Sequence, residues 1–203
     1  MADLERARAI QEATLGPAAP ELAGTLRRLA DAYRWQGALG QALALAEHSL
    51  AISERALDDP DLALSITSLA HVLREEGAYA KAEALYQRAD VLLSKPEIEN
   101  EVRRIYILYG RAQLRQREGR NREAETLYRD ALERFTRILG PDDPVTAQEA
   151  VSLAHLLRET GRSAEVGPLY QRSLPILEHA LVPEHPVLQK ARLAYPALKR
   201  GSE

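Results

Sequence analysis

The chain has 203 residues, of which 45% are hydrophobic and 28% charged, the balance of a folded domain rather than a disordered segment. A formal net charge of −3 gives no global attraction to nucleic acid or to an anionic membrane. The absence of cysteine excludes disulfides, thiolate metal sites and cysteine nucleophiles.

Helix formers (Ala, Leu, Glu, Arg) dominate, and aromatic content is 5%, with one tryptophan, Trp35, one phenylalanine, Phe135, and one methionine, Met1. The expectation is an all-α protein. The first sixteen residues, MADLERARAIQEATLG, lack the apolar core of a signal peptide. No apolar run approaches the roughly 18 residues of a membrane span. The expected setting is cytoplasmic, without a membrane partner.

In chain order, apolar letters at helical spacing predict helices over 2–14, 20–36, 39–57, 60–76, 79–94, 98–118, 121–139, 144–160, 163–181 and 186–200. Three blocks punctuate them. A proline-led turn recurs as LGPAAP at 15–20, LDDP at 57–60, LGPDDP at 139–144 and LVPEHP at 181–186. Its proline suits the first helical turn, and Asp59 and Asp143 stand where a cap is needed. A glycine follows at Gly37, Gly77, Gly119 and Gly161, spaced 40, 42 and 42, in the position that favours a left-handed residue after a helix end. The second helix of each pair then carries Tyr86, Tyr128 and Tyr170 at intervals of 42. LAHVLREEG at 69–77 and LAHLLRETG at 153–161 are therefore two copies of one unit, 84 residues apart.

The repeat is a pair of antiparallel helices, A and B, that cannot bury its apolar face alone and so stacks into a solenoid. The expected organisation is one domain over 1–203: a half-repeat at 1–16, repeats at about 17–57, 58–95, 96–140 and 141–182, and a capping helix at about 186–200, interrupted by Pro196. Repeat 3 departs from the rule. Arg111 and Arg115 replace Leu69 and Leu73 of repeat 2, and SKPEIENEV at 94–102 replaces the proline turn, so its A helix is expected to start early or to be rotated.

Along helix A a large apolar residue (Leu29, Leu69, Leu153) precedes a small one (Ala30, Ala70, Ala112, Ala154), and a large one follows (Tyr33, Leu73, Leu157). Helix B gives small residues at Ala42, Ala82, Ala124 and Ala164, the tyrosine, and again small residues at Ser49, Ala89, Ala131 and Ser173. This alternation resembles the tetratricopeptide repeat, and the 42-residue period with LGPDDP and EAETLYRDAL is similar to kinesin light chain repeats. HEAT-like stacking, with a period of about 40–47, is the structural alternative. The resemblance implies a right-handed superhelix, no catalysis and no cofactor, with extended partner segments bound along the concave face of the A helices.

Carried over residue by residue, that groove comprises Arg27, Arg28, Asp31, Arg34 and Trp35 in repeat 1, and Leu64, Thr67, Ser68, His71, Arg74 and Glu75 in repeat 2. Repeat 3 contributes Tyr106, Tyr109, Gln113, Gln116 and Arg117, and repeat 4 contributes Gln148, Val151, Ser152, His155, Arg158 and Glu159. Six arginines stand against three acids there, and Arg34, Arg74 and Arg158 share one register. Arginine forks grip carboxylates at two points, so an acidic or acidic-aromatic protein segment is the expected ligand. The same residues also fit a solvated, salt-bridged face. The Asn-Asn pair frequent in kinesin-type repeats is replaced by Arg27-Arg28, Thr67-Ser68, Tyr109-Gly110 and Val151-Ser152. His71 and His155 share a register but not a neighbourhood, too far apart for one metal. His48, His179 and His185 follow no pattern, and no phosphate loop or nucleophile motif is present. The alternative role is assembly, with end helices joining copies or a larger complex.

Overall fold

The computed structural model describes residues 1–56, 61–94, 100–183 and 185–200. They form ten helices: α1 Ala2–Leu15, α2 Pro20–Trp35, α3 Leu39–Ser53, α4 Leu62–Glu75, α5 Tyr79–Leu93, α6 Glu101–Arg117, α7 Asn121–Leu139, α8 Pro144–Glu159, α9 Ser163–Ala180 and α10 Pro186–Arg200. The chain divides into two compact units, Met1–Ile107 and Leu108–Glu203, and the division falls within α6. Among the described residues, no strand occurs and no helix is long and apolar enough to cross a membrane.

The punctuation of the sequence does what its chemistry requires. Gly37, Gly77, Gly119 and Gly161 all have φ between 75° and 83°. At each, the glycine N–H donates to a carbonyl three residues back, and the next N–H donates to one five back, such as Ala78 to Leu73 at 2.8 Å. That pattern satisfies the last carbonyls of the A helix and turns the chain into the B helix. Pro20, Pro144 and Pro186 open their helices. Asp143 Oδ1 accepts from Val145 N–H at 2.8 Å and caps α8. Leu57–Pro60, including the Asp59 cap, lies outside the described residues, and α3 ends at Ser53, four residues before the predicted end.

In unit 1, Ala30 and Ala70 on the A helices and Ala42 and Ala82 on the B helices are fully buried, and the small side chains let the helices of a pair approach. Successive pairs are joined by a buried hydroxyl knot. Ser65 lies 3.1 Å from Ser49 and 2.9 Å from Ser53, and Ser49 donates to the Ala23 carbonyl at 2.9 Å. The hydroxyls satisfy one another, so their burial carries little desolvation cost. Helix α1 buries no residue and is tied to α2 by Tyr33, whose hydroxyl donates to Glu5 at 2.8 Å.

Unit 2 builds its core from Ala112, Ala124, Tyr128, Val151, Leu153, Ala154, Leu157, Val166 and Tyr170. Ala164, read as the small B-helix residue of repeat 4, is exposed; Val166, five residues after Gly161, fills that register, because Gly-to-core spacing is kept while the residue type is not. Helix α6 begins at Glu101 rather than 98, where Asn100 Oδ1 accepts from Arg103 N–H at 3.0 Å. It keeps the register of the other A helices: Ala112 is fully buried and Gly119 closes the helix. Arg115 stands in a leucine's place with its head group 3.0 Å from Glu118, so its stem covers the core while the charge is neutralised outside.

Candidate functional site

In unit 1 polar side chains of the A helices α2 and α4 form a cluster that reaches Tyr86 of α5. Arg74 is 3% exposed; its guanidinium donates to the Tyr86 hydroxyl at 3.3 Å and to Glu75 Oε1 at 2.9 Å. Ser68 donates to Asp31 Oδ1 at 3.4 Å, and Arg34 approaches the same oxygen at 3.7 Å. The Arg34 guanidinium also lies over the Trp35 ring, 4.7 Å from its centroid. His71 packs against Tyr86 with ring centroids 5.7 Å apart. Burial, and then the guanidiniums of Arg74 and Arg34, hold His71 well below its ordinary pKa, so it is a neutral ring. Burial raises Asp31, with Arg34 and Arg27 opposing it, and pushes Tyr86 up to about 12.

In unit 2 neutral and charged groups share these registers: Gln116 stands where Arg74 does in repeat 2, while Arg158 and Glu159 keep the charged pair in repeat 4. Gln113 donates to the Tyr109 hydroxyl at 2.7 Å, and that hydroxyl lies 2.8 Å from Ser152. The Tyr128 hydroxyl donates to Gln116 at 2.9 Å, and Gln116 donates to Glu159 at 2.8 Å. The Tyr170 hydroxyl lies 3.2 Å from His155 Nδ1, with the rings edge to face at 5.8 Å. Burial first, then Arg158 and Lys190, lower the His155 pKa. The arrangement offers hydrogen bonds and ring faces. Among the described residues, no His, Asp or Glu cluster is placed to hold a metal.

A model of the tetratricopeptide repeat matches residues 21–89 and 103–179, well over half of the chain. The chain belongs to the tetratricopeptide repeat family. No curated protein sequence matches it. Among solved structures, it is similar to BtubC (BKLC) from P. vanneervenii at 21% identity, covering 98% of this chain and 80% of that one, with a TM-score of 0.69. Kinesin light chain TPR-like repeats of Podosopora anserina match at 22% identity over 87% of this chain and 84% of theirs, with a TM-score of 0.57. Rap protein complexed with competence and sporulation factor matches at 18% identity over 91% of this chain and 50% of that one, with a TM-score of 0.74. At such identities the likeness is one of fold: an all-α repeat with kinesin light chain-like neighbours. Tetratricopeptide repeats are protein–protein interaction modules, and protein partners follow from the family.

Within these tetratricopeptide pairs the expected groove residues separate by accessibility. Arg28, Trp35, Tyr106, Arg117 and Arg158 are exposed. Arg27, Arg34, Leu64, His71, Tyr109, Gln113, Gln116, Ser152 and His155 are half-buried. Ser68, Arg74 and Val151 are buried; Val151 is 1% exposed and part of the unit 2 core, and Arg74 is held inside by Tyr86 and Glu75. The three arginines of one register therefore stand in three environments. Sequence reasoning treated Tyr86, Tyr128 and Tyr170 as packing residues only. Their hydroxyls are the fixed points to which the A-helix polar side chains are tied, and the signal was present in the choice of Tyr over Phe at a buried, repeated position.

Proposed function

We propose that the chain is a non-catalytic protein-binding module that holds an extended, acidic or acidic-aromatic partner segment along the inner faces of its A helices. The observation that supports this reading is the residue set on those faces: most of it stays outside the core, and it holds six arginines against three acids in a chain of net charge −3. A fold shared with a Rap protein solved in complex with competence and sporulation factor supports it. Arg28, Arg117 and Arg158 supply accessible charge, with Trp35 and Tyr106 as exposed aromatic surface of the kind that dominates binding energy at interfaces. The test is capture of partners by the intact chain, followed by titration calorimetry of the mapped segment against wild type and the Arg28→Gln/Arg117→Gln/Arg158→Gln variant. The variant is expected to bind at least tenfold more weakly with an unchanged melting temperature. Equal affinity would assign the arginines to a solvated face.

The alternative is self-assembly through end helices. It draws on α1, which buries no residue and exposes Ile10 and Leu15. Light scattering that shows a monomer at high concentration removes it.

A further inference from the structure

The joint between α3 and α4 is held by hydroxyls: Ser65 on α4 meets Ser49 and Ser53 on α3, and Ser49 also reaches the Ala23 carbonyl. The joint between α7 and α8 occupies the same place two repeats later. Counted from the repeat glycines, Ser49 and Ser53 become Ala131 and Phe135, both fully buried, and Ser65 becomes Glu149. A carboxyl therefore stands where the earlier joint has a hydroxyl. The two side chains in the registers of its partners are a methyl and a phenyl ring, with neither donor nor acceptor.

Glu149 is 4% exposed, and its Oε2 is buried without a hydrogen-bond partner among the described residues. One turn earlier on the same helix face, Thr146 takes the register of Leu22 and Leu62, and its Oγ1 is likewise buried without a partner. Helix α8 packs on α7, α9 and α10, and the charges of these helices are engaged elsewhere. Asp130 and Arg134 of α7 pair with each other at 2.7 Å. On α9, Arg172 pairs with Asp142, and Glu178 pairs with Arg192 of α10. Lys190 of α10 acts on His155. Arg111 and Arg115 of α6 lie one and two turns beyond the register of Glu149. Burial is accordingly the one influence on the Glu149 carboxyl among the described residues, and it favours the protonated form. An ionised carboxylate here would lose its water with neither a cation nor a donor to offset the loss.

We propose that the α7–α8 joint is a proton-operated latch, closed while the Glu149 carboxyl holds its proton and loosened when the proton leaves and the carboxylate takes up water. The latch belongs to unit 2 and is independent of what the inner face binds. In the open joint the carboxyl ionises at its ordinary value of 4.5, and in the closed joint only well above it. Between those values the opening equilibrium grows by about tenfold per pH unit, and above the closed value it levels off. His155 of α8 and His185 of α10 work in the opposite sense. Burial lowers both below 6.5, so their contribution to the closed state is complete above that pH and is lost as pH falls.

The test is amide hydrogen exchange of the whole chain from about pH 5 to about pH 9, corrected for the intrinsic exchange rate at each pH. In wild type, opening of α7 and α8 should grow by about tenfold per pH unit before it levels off, while α2 to α5 show no such rise. Glu149→Gln keeps the shape of the side chain and cannot ionise. The rise should vanish from α7 and α8 in that variant, leaving the opposite, histidine-driven trend at low pH. Thr146→Val removes a buried hydroxyl but no titrating group, and should keep the rise. If circular dichroism shows Glu149→Gln unfolded, Glu149→Met carries the same comparison, and the contrast between the two units in wild type stands by itself. A flat wild-type profile in α7 and α8, a rise of equal size in α2 to α5, or a rise that persists in a folded Glu149 variant overturns the proposal.

Discussion

Glu149 is an acid where the repeat expects something small or apolar. It lies on α8 at the register of Ser65 in α4, whose hydroxyl partners Ser49 and Ser53; one repeat pair later those two positions are Ala131 and Phe135. Glu149 is 4% exposed, and its Oε2 has no hydrogen-bond partner. Burial pushes its pKa well above the ordinary carboxyl value of 4.5. The folded state then binds a proton that the unfolded state has released. This group's stabilising contribution is complete below pH 4.5 and is lost as pH rises from there through the raised folded value. Glu149→Met should flatten that part of the pH–stability curve and raise stability at pH 8 by about 1–3 kcal/mol, measured by urea unfolding. An unchanged pH profile would mean that the carboxyl is solvated. Arg74 and Arg158 make the complementary comparison. Arg74→Gln removes the buried guanidinium that donates to the Tyr86 hydroxyl and to Glu75 and should cost about 1–3 kcal/mol, whereas Arg158→Gln, at an exposed site, should cost well under 1 kcal/mol. Equal melting temperatures for the two would show that Arg74 is not held as described.

Elements were legible because their ends are written in residues with one conformational use. The proline and glycine markers bound α2, α8 and α10 to within a residue of their predicted limits, and all four Gly-centred turns have the left-handed backbone that the spacing implied. Two errors arose where marker residues are missing. The start of α6 depends on Asn100, a cap without the proline that follows Asp143 at α8, and the end of α3 has no glycine. The candidate site was less legible. Ser68 and Val151 sit at the border between the inner face and the packed face, where helical periodicity alone does not separate lining from core. Arg74, expected to line the groove, is buried because the partner that draws it inward, Tyr86, comes from the next helix. At this scale the sharpest check is Ala154, fully buried within the unit 2 core. Ala154→Leu should destabilise by about 1–3 kcal/mol through overpacking, while Asp143→Ala should cost about 1 kcal/mol through loss of the α8 cap. A thermal melt that leaves Ala154→Leu unchanged would place α8 in a different register.

For the whole molecule the informative quantity is the mismatch between total charge and its placement. The chain carries 27 basic and 30 acidic residues, yet many acids are consumed in ion pairs on the B helices, where Arg129 and Arg162 pair with Glu125 and Glu165. The inner-face arginines thus act at short range within a molecule that repels anions at long range. Ionic screening shortens the electrostatic reach from about 10 Å at 0.1 M salt to about 3 Å at 1 M. An acidic segment seated against those arginines should lose affinity by roughly fivefold or more between 50 and 500 mM salt, and the apolar and main-chain part of its binding should persist at the higher concentration. A single-stranded oligonucleotide is a different ligand. Its phosphates need many simultaneous cations and an aromatic platform, and the net negative field opposes its approach. A 20-nucleotide strand should show no mobility shift with micromolar protein at 50 mM salt, while the mapped protein segment binds under the same conditions. An oligonucleotide bound as tightly as that segment, with a steep salt dependence, would turn the arginine face into a nucleic-acid surface and withdraw the protein-partner reading.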